Sequence, residues 1–319
     1  MQMVSVTGGA GFVGTNLIHG LVLAGYKVRA VDDFSTGLRS NLETLDCEIV
    51  QASITDFESV SKALKGSDYI FHLAARGSVP RSIRNPRATM EVNVSGTLNV
   101  LECARENGAD VAFSSSSSVY GSNLQLPKNE KMWTAPLTPY AASKLAGEGL
   151  VQSYSASFGV KAINYRFFNI FGPWQRPDHD YAAVIPKWIW KLINGDNTIE
   201  IFGDGTQSRD FAYVHSVTSV LLDGLARHVN HPEPVNLAFG NKISLNDVVA
   251  ILRQHFPQIR VKYLEPRLGD VKNSQNDPSE LLNVFPKVKK PDFNKAVEET
   301  IEWFRQNGKR IVDGPKVLD

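Results

Sequence analysis

The chain has 319 residues, 42% of them hydrophobic, and 34 Lys and Arg stand against 33 Asp and Glu. That length builds one large domain or two modest ones, and the balanced charge excludes a global basic surface for nucleic acid or an anionic membrane. Two cysteines, Cys47 and Cys103, exclude a disulfide framework; with no Cys/His run at metal spacing, they read as thiols in a reducing compartment and no metal is expected.

The first apolar run, Met3 to Thr7, reads as a buried strand leading straight into Thr7-Gly8-Gly9-Ala10-Gly11-Phe12-Val13-Gly14. It lacks the basic start and cleavage site of a signal peptide. Further strand-like runs follow at Lys27 to Asp32, Cys47 to Gln51, Tyr69 to Leu73, Val111 to Ser114 and Lys161 to Tyr165. Helix-period segments lie between them, near residues 12 to 24, 56 to 65, 87 to 107 and 140 to 157. This alternation predicts an α/β fold, a Rossmann-type doubly wound parallel sheet with ligands beyond the carboxyl ends of its strands.

After Arg166 the pattern loosens, with Gly172-Pro173, Arg176-Pro177, Gly203-Asp204-Gly205 and Pro232-Glu233-Pro234 punctuating short elements. The expected division is a dinucleotide-binding domain of residues 1–166 and 211–240, and a smaller α/β substrate lobe of residues 167–210 and 241–319. The most apolar later stretch, Val184 to Ile193, carries two lysines and a proline and is too short to span a bilayer. A cytoplasmic protein is expected.

Gly8, Gly11 and Gly14 follow a strand and open an amphipathic helix, where glycines let backbone approach a diphosphate at a helix N-terminus. The next strand ends in Asp32-Asp33, placed to accept hydrogen bonds from ribose hydroxyls. A capping or solvated Asp pair is the alternative. With no Arg directly beside them, a 2′-phosphate would meet negative charge, so NAD is favoured over NADP. His72-Leu73-Ala74-Ala75 ends another strand with small side chains that admit a ligand; His72 reads as a satisfied structural histidine.

Tyr140 and Lys144 stand four apart in Tyr140-Ala141-Ala142-Ser143-Lys144 and share a helix face. An ammonium near the phenol would lower its pKa from about 10 and give a base usable near neutral pH. Ser116, twenty-four residues earlier at a strand end, offers a hydroxyl to share a substrate proton. The alternative is that the run Ser114 to Ser118 only satisfies strand-end backbone groups.

Together these segments resemble the extended short-chain dehydrogenase/reductase family over nearly the whole chain. The matching stretches are Thr7 to Gly14, His72 to Ala75, Asn93 in Val92-Asn93-Val94-Ser95-Gly96-Thr97, Phe113 to Gly121, Tyr140 to Lys144, Arg166-Phe167-Phe168-Asn169, and Phe202-Gly203-Asp204-Gly205 followed by Arg209-Asp210-Phe211. Within it the chain is most similar to nucleotide-sugar 4-epimerases. Gly77-Ser78-Val79-Pro80-Arg81-Ser82 and Ala182-Ala183-Val184-Ile185-Pro186-Lys187-Trp188 look like those acting on UDP-N-acetylhexosamines.

The resemblance implies that NAD is held by Gly8, Gly11, Phe12, Val13, Gly14, Asp32, Asp33, Ser35, Thr36, Gly37, Ser53, Ile54, Leu73, Ala74, Ala75, Asn93, Ser114, Tyr140, Lys144 and Phe167. Ser53 stands where the family usually has an adenine-contacting Asp, which puts that contact in doubt. A UDP-sugar would be held by Ser78, Ser116, Tyr140, Asn169, the backbone around Val184 and Ile185, Phe202, Arg209, Arg267, Asp270 and Ser274. Phe202 as core and an Arg267 to Asp270 pair are the alternatives. Ser274 replaces a bulkier pocket wall and leaves room for a 2-acetamido group.

Ser116, Tyr140 and Lys144 would be catalytic, oxidising and re-reducing C4 of the sugar through a 4-keto intermediate. Ser117 and Ser118 stand where related 4,6-dehydratases carry an acidic pair, which disfavours dehydration. Arg76 departs from the usual uncharged residue; with Arg81 and Arg84 it offers charge for a uronic-acid carboxylate, so a UDP-uronic acid 4-epimerase is the alternative, with surface solvation the bland reading. A net-oxidising dehydrogenase or reductase and a non-catalytic NAD-binding protein are the rival classes. Relatives form a two-fold dimer through the helices near 87 to 107 and 140 to 157, so a homodimer is expected.

Overall fold

Five consecutive buried residues, Met3–Thr7, form β1 at the middle of the main sheet of the computed structural model, which describes residues 2–178, 182–266 and 272–312. Lys27–Asp32 (β2), Glu48–Gln51 (β3), Tyr69–His72 (β4), Asp110–Ser116 (β5) and Ala162–Phe167 (β6) join it. The short Asn169–Phe171 (β7), Thr198–Phe202 (β8), Ser208–Arg209 (β9) and Phe211–Tyr213 (β10) intervene before Val235–Leu237 (β11) returns to the sheet edge. The order is β11-β6-β5-β4-β1-β2-β3, all pairs parallel. The reversal of chain direction across the sheet beside β1 and β4 opens a crevice at their carboxyl ends.

β1 and β4 are buried throughout because helices cover both faces, as a parallel sheet requires. On one face Phe12–Leu23 (α1) lays Leu17, Ile18 and Leu21 against Val4 and Val6. On the other, Phe57–Leu64 (α2) packs Val60 and Leu64 near Ile70. The short Val79–Arg84 (α3) and Pro86–Met90 (α4) precede Gly96–Asn107 (α5) and Pro139–Phe158 (α6), whose Val100, Leu101 and Val151 complete that second layer. Alternation along β4 sends Tyr69 and Phe71 to the first core and Ile70 to the second, the two-residue period of a strand.

A separate core gathers around Val184–Ile193 (α7), with Trp188 and Ile189, and β8, with Ile199 and Ile201. After Val214–Ala226 (α8), which packs against α1, come Ile243–Ser244 (β12), Leu245–His255 (α9), Arg260–Leu264 (β13), Ser279–Val284 (α10) and Phe293–Val312 (α11). β13 pairs in parallel with β8, and β12 antiparallel with β9. Val248, Leu252, Val297, Ile301 and Phe304 from α9 and α11 close this core. Among the described residues no helix is long and apolar enough to cross a membrane, and no His/Cys/Asp/Glu group could hold a metal.

The first-half elements fall where the alternation placed them, within the one or two residues by which element ends vary. Two differences bear on the site. The expected helix over 87 to 107 is broken by a π turn, Glu91–Ser95, with Asn93 at its centre. The Val79–Arg84 helix was not expected; Pro80 in its first turn and Ser78 as its cap, accepting from the Arg81 amide, start it.

Candidate active site

The turn after β1 is shaped for close approach. Gly8 has φ +70°, and a Cβ there would lie 2.7 Å from the Ala74 nitrogen; one at Gly14 would lie 2.2 Å from the Gly8 carbonyl. Only glycines let the turn, the α1 start and the β4 end meet so closely. Gly11 caps α1 without a side-chain bond, and the first turn holds no acid. Its amides favour an anion there.

A cleft of about 360 Å³ opens at this turn, lined by Gly8, Gly11, Val31, Asp32, Asp33, Ser35, Thr36, Ser53, Ile54, Leu73, Ala74 and Ala75. Carboxylates, helix-start amides and an apolar slot suit ribose hydroxyls, a diphosphate and an adenine. Asp32 has structural work as well: its oxygens accept the Ala10 amide at 2.9 Å and the Phe34 amide at 2.8 Å. Burial pushes its pKa up against those bonds. Ser53, in place of an acid, is bonded to Thr55 Oγ1 at 2.8 Å.

Other residues expected at the dinucleotide stand behind this cleft. Gly37 packs on the turn, where a Cβ would lie 2.8 Å from Ala10 Cβ. Gly14 lies within α1, and Phe12 packs against the core around α7 and β8. Val13 also falls within α1, and Phe167 ends β6 against the main core. The Ser114 hydroxyl donates to the His72 carbonyl at 3.0 Å and stitches β5 to β4. His72 is tied between Thr7 Oγ1 at 2.8 Å and Thr97 Oγ1 at 3.0 Å, and burial pulls its pKa down to about 3, so it stays neutral.

Asn93 is buried inside the π turn and faces the loop after β4. Its Oδ1 accepts the Arg76 amide at 2.7 Å; its Nδ2 donates to the Arg76 carbonyl at 3.3 Å and to Ser143 Oγ at 2.9 Å. Ser143 in turn donates to the Tyr140 carbonyl at 2.8 Å. The loop is thereby wired to the first turn of α6. The π turn places the amide for this, a recurrent use of such insertions.

That loop divides two clefts. Arg76 and Gly77 line the first; Ser78, Val79 and Pro80 line a second, of about 540 Å³, together with Asn169, Val184, Ile185, Phe202 and Arg209. Ser78 has φ +96°, a strained value for a residue with a side chain, of the kind held at functional sites. Lys187, Trp188, Lys191, Glu200 and Gln207 also line this cleft, and sequence reasoning gave them no role. Arg209 is steadied by bonds from Nη1 to the Ser208 carbonyl at 3.0 Å. Ser274 is held beside it, its amide donating to the Ser208 carbonyl at 3.0 Å. Arg267 and Asp270 lie outside the described residues.

Ser116, Tyr140 and Lys144 meet where β5 ends against α6. Ser116 caps a short helical turn, its Oγ accepting the Ser118 amide at 3.2 Å and the Ser118 hydroxyl at 2.9 Å. The Tyr140 phenol is pushed up in pKa by burial, and a hydrogen bond with Ser116 opposes this. Lys144 is 3% exposed, and its Nζ donates to the Ser114 carbonyl at 2.7 Å. Burial pulls it down to about 7, with Glu148 acting the other way. The expectation that Lys144 lowers the Tyr140 pKa is corrected here. The amine is turned to the β5 backbone and is only partly charged near neutrality, so burial dominates at the phenol.

Glu148 continues the same helix face and was not singled out, although Tyr140, Lys144 and Glu148 are spaced i, i+4, i+8. It is buried and paired with Arg166 through two bonds of 2.8 Å, and it accepts from Ser115 Oγ at 2.5 Å. Arg166 also reaches the Tyr120 hydroxyl at 3.0 Å.

A UDP-N-acetylglucosamine 4-epimerase from Methanobrevibacter ruminantium, solved with UDP-N-acetylmuramic acid, is 36% identical and superposes with a TM-score of 0.89, covering 96% of this chain and 99% of its own. A UDP-glucose 4-epimerase of Mycolicibacterium smegmatis is 32% identical over 94% of this chain and 97% of its own. A UDP-glucuronate 4-epimerase of Thermodesulfobacterium geofontis is 30% identical over 95% and 96%. Residues 4–238 match the family described as NAD dependent epimerase/dehydratase. With a glycine turn, a two-cleft site and a Ser, Tyr and Lys set at the junction of β5 and α6, the chain belongs to the NAD dependent epimerase/dehydratase family and is an enzyme that uses NAD.

Proposed function

We propose that this enzyme inverts C4 of a UDP-hexose through a transient 4-keto sugar, with UDP-N-acetylhexosamines and the neutral UDP-hexoses as its substrates. The observation that carries this reading is the loop after β4, which lines one cleft with Arg76 and Gly77 and the other with Ser78, and is hydrogen-bonded through Asn93 and Ser143 to the helix of Tyr140. When bound, NAD supplies a reversible hydride acceptor and a positively charged ring. The first cleft would hold it through the α1 amides and the Asp32 and Asp33 carboxylates.

Tyr140 takes the proton of the sugar 4-hydroxyl and returns it to the same C4 oxygen once the sugar has turned its other face to the cofactor cleft, while Ser116 holds that oxygen. The Ser116 hydrogen bond opposes the upward push of burial at the phenol, and the positive ring of bound NAD would lower it further toward the range of a general base. Arg209 suits the diphosphate, since a guanidinium matches two phosphate oxygens, and the Phe202 edge packs on uracil. Binding concentrated on the UDP end leaves the sugar free to turn over, as inversion requires.

Arg76 and Arg81 line the dinucleotide side, not the cleft assigned to the sugar. That weakens the uronic-acid reading. Incubating the enzyme with UDP-GlcNAc, UDP-glucose and the corresponding uronic acids, then separating products, tests the assignment. Interconversion of the gluco and galacto forms without accumulating NADH is expected; stoichiometric NADH would make it a dehydrogenase.

We also infer a homodimer through α4, α5 and α6, supported by Leu98, 40% exposed on α5, and by an open groove lined by Pro86, Met90 and Val94. Sedimentation equilibrium reads it out. Cys103 buried and Cys47 half-buried as free thiols support a cytoplasmic place of action.

A further inference from the structure

Arg76 is held by its backbone and left open at its side chain. The Asn93 amide group clamps both its N–H and its carbonyl. Its Nε is buried without a hydrogen-bond partner, and among the described residues no carboxylate pairs with its guanidinium. Arg166, by contrast, is bonded to Glu148 and Tyr120, and Arg29 to Glu48 and two carbonyls. A buried donor without an acceptor is destabilising and calls for an explanation. An acceptor brought by a ligand is one.

The surroundings select that ligand. Arg76 lines the same cleft as Gly11, where α1 begins without a capping side chain or an acid in its first turn. Asp32 and Asp33 line it too, and they repel an anion placed beside them while accepting from hydroxyls. One cleft therefore offers both a hydroxyl-accepting and an anion-accepting part. A dinucleotide carries both groups, ribose hydroxyls and a diphosphate.

We propose that the Arg76 guanidinium is a ligand of the dinucleotide's diphosphate, sharing it with the first-turn amides of α1. Its planar fork takes two phosphate oxygens at once, and the Asn93 clamp fixes the backbone from which it reaches. The same clamp runs to Ser143 and α6, so the group that grips the cofactor and the helix that carries the base are set by one asparagine. The proposal rests on the assignment of this cleft to NAD.

Arg76→Gln and Arg76→Lys, titrated calorimetrically with ADP-ribose, its 2′-phosphate and adenosine, provide the test. Glutamine is expected to weaken ADP-ribose about tenfold or more, as loss of a charged hydrogen-bond pair does, and to leave adenosine unchanged. Lysine, which keeps the charge, is expected to lose less, and added salt should weaken ADP-ribose binding less in the glutamine variant than in wild type. Unchanged ADP-ribose affinity in Arg76→Gln overturns the proposal. So does an equal loss for adenosine, or a loss confined to the 2′-phosphorylated ligand. Wild-type protein that binds neither ADP-ribose nor NADH overturns the cofactor assignment of the cleft itself, whereas failure of Arg76 alone leaves wild-type binding intact.

Discussion

Replacing Lys144 with methionine should remove activity and yet stabilise the fold under mildly acidic conditions. Lys144 is 3% exposed and its pKa falls from 10.5 to about 7, chiefly through burial. Keeping its ammonium charged in the folded state therefore costs about 5 kcal/mol at pH 6, at about 1.4 kcal/mol per pH unit. Methionine fills a similar volume without charge but leaves the Ser114 carbonyl without the donor now 2.7 Å away. That loss is on the order of 1–3 kcal/mol, so a net gain of about 2–4 kcal/mol is expected at pH 6. Because the folded pKa lies below the unfolded one, the unfolded chain binds more protons between about 7 and 10.5, and wild-type stability rises with pH through that window. By pH 9 the wild-type handicap has shrunk to about 2 kcal/mol, and the lost hydrogen bond cancels it. Urea denaturation of wild type and Lys144→Met at pH 6 and pH 9 reads this directly. A variant less stable than wild type at pH 6, or a stability difference that does not change between the two pH values, refutes the reasoning.

Tyr140→Phe removes the proposed base and should lower epimerisation about a hundredfold or more, with unfolding little changed; near-normal turnover would remove Tyr140 from the chemistry. Asp32→Asn deprives the Ala10 or Phe34 amide of a carboxylate and should lower stability by about 1–3 kcal/mol while weakening NAD, and unchanged NADH affinity by fluorescence titration would take the ribose away from Asp32. Ser274→Tyr should reduce kcat/KM for UDP-GlcNAc more than for UDP-glucose, and equal losses would argue against a size gate at that position.

The cleft proposed for the dinucleotide was legible as a set of strand-end residues because its sequence pattern is local. Gly8, Gly11, Asp32, Asp33 and Ala74 sit at strand ends, and strand ends show in the apolar pattern. Asn93 was found as a family match, but its contacts were not foreseeable, since the π turn that aims it leaves no trace in hydrophobic periodicity. The chain beyond Arg166 was read only coarsely. Its strands pair across long separations, β8 with β13 and β9 with β12, and strands of two to five residues carry too few alternations to be told from loops. Lys187 and Lys191 line the second cleft from α7, and Gln207 from the residue before β9.

The Tyr140, Lys144 and Glu148 face explains how a site can hold groups that its own folding disfavours. A partly charged amine and a buried phenol both oppose burial. One turn further in, Glu148 is locked by Arg166 and Ser115, and Arg166 by Tyr120, which also bonds Asn236 at 2.8 Å. Such a buried pair contributes little net stability beside an apolar replacement, but losing one partner strands a charge at about 3–5 kcal/mol. Its worth lies in register. A helix cannot slide or rotate while two bonds of 2.8 Å fix Glu148 to β6 and the Asn93 to Ser143 bond fixes its first turn to the loop between the clefts. With α6 pinned at Ser143 and Glu148, on either side of Lys144, the Tyr140 and Lys144 side chains are held in position by their supporting shell.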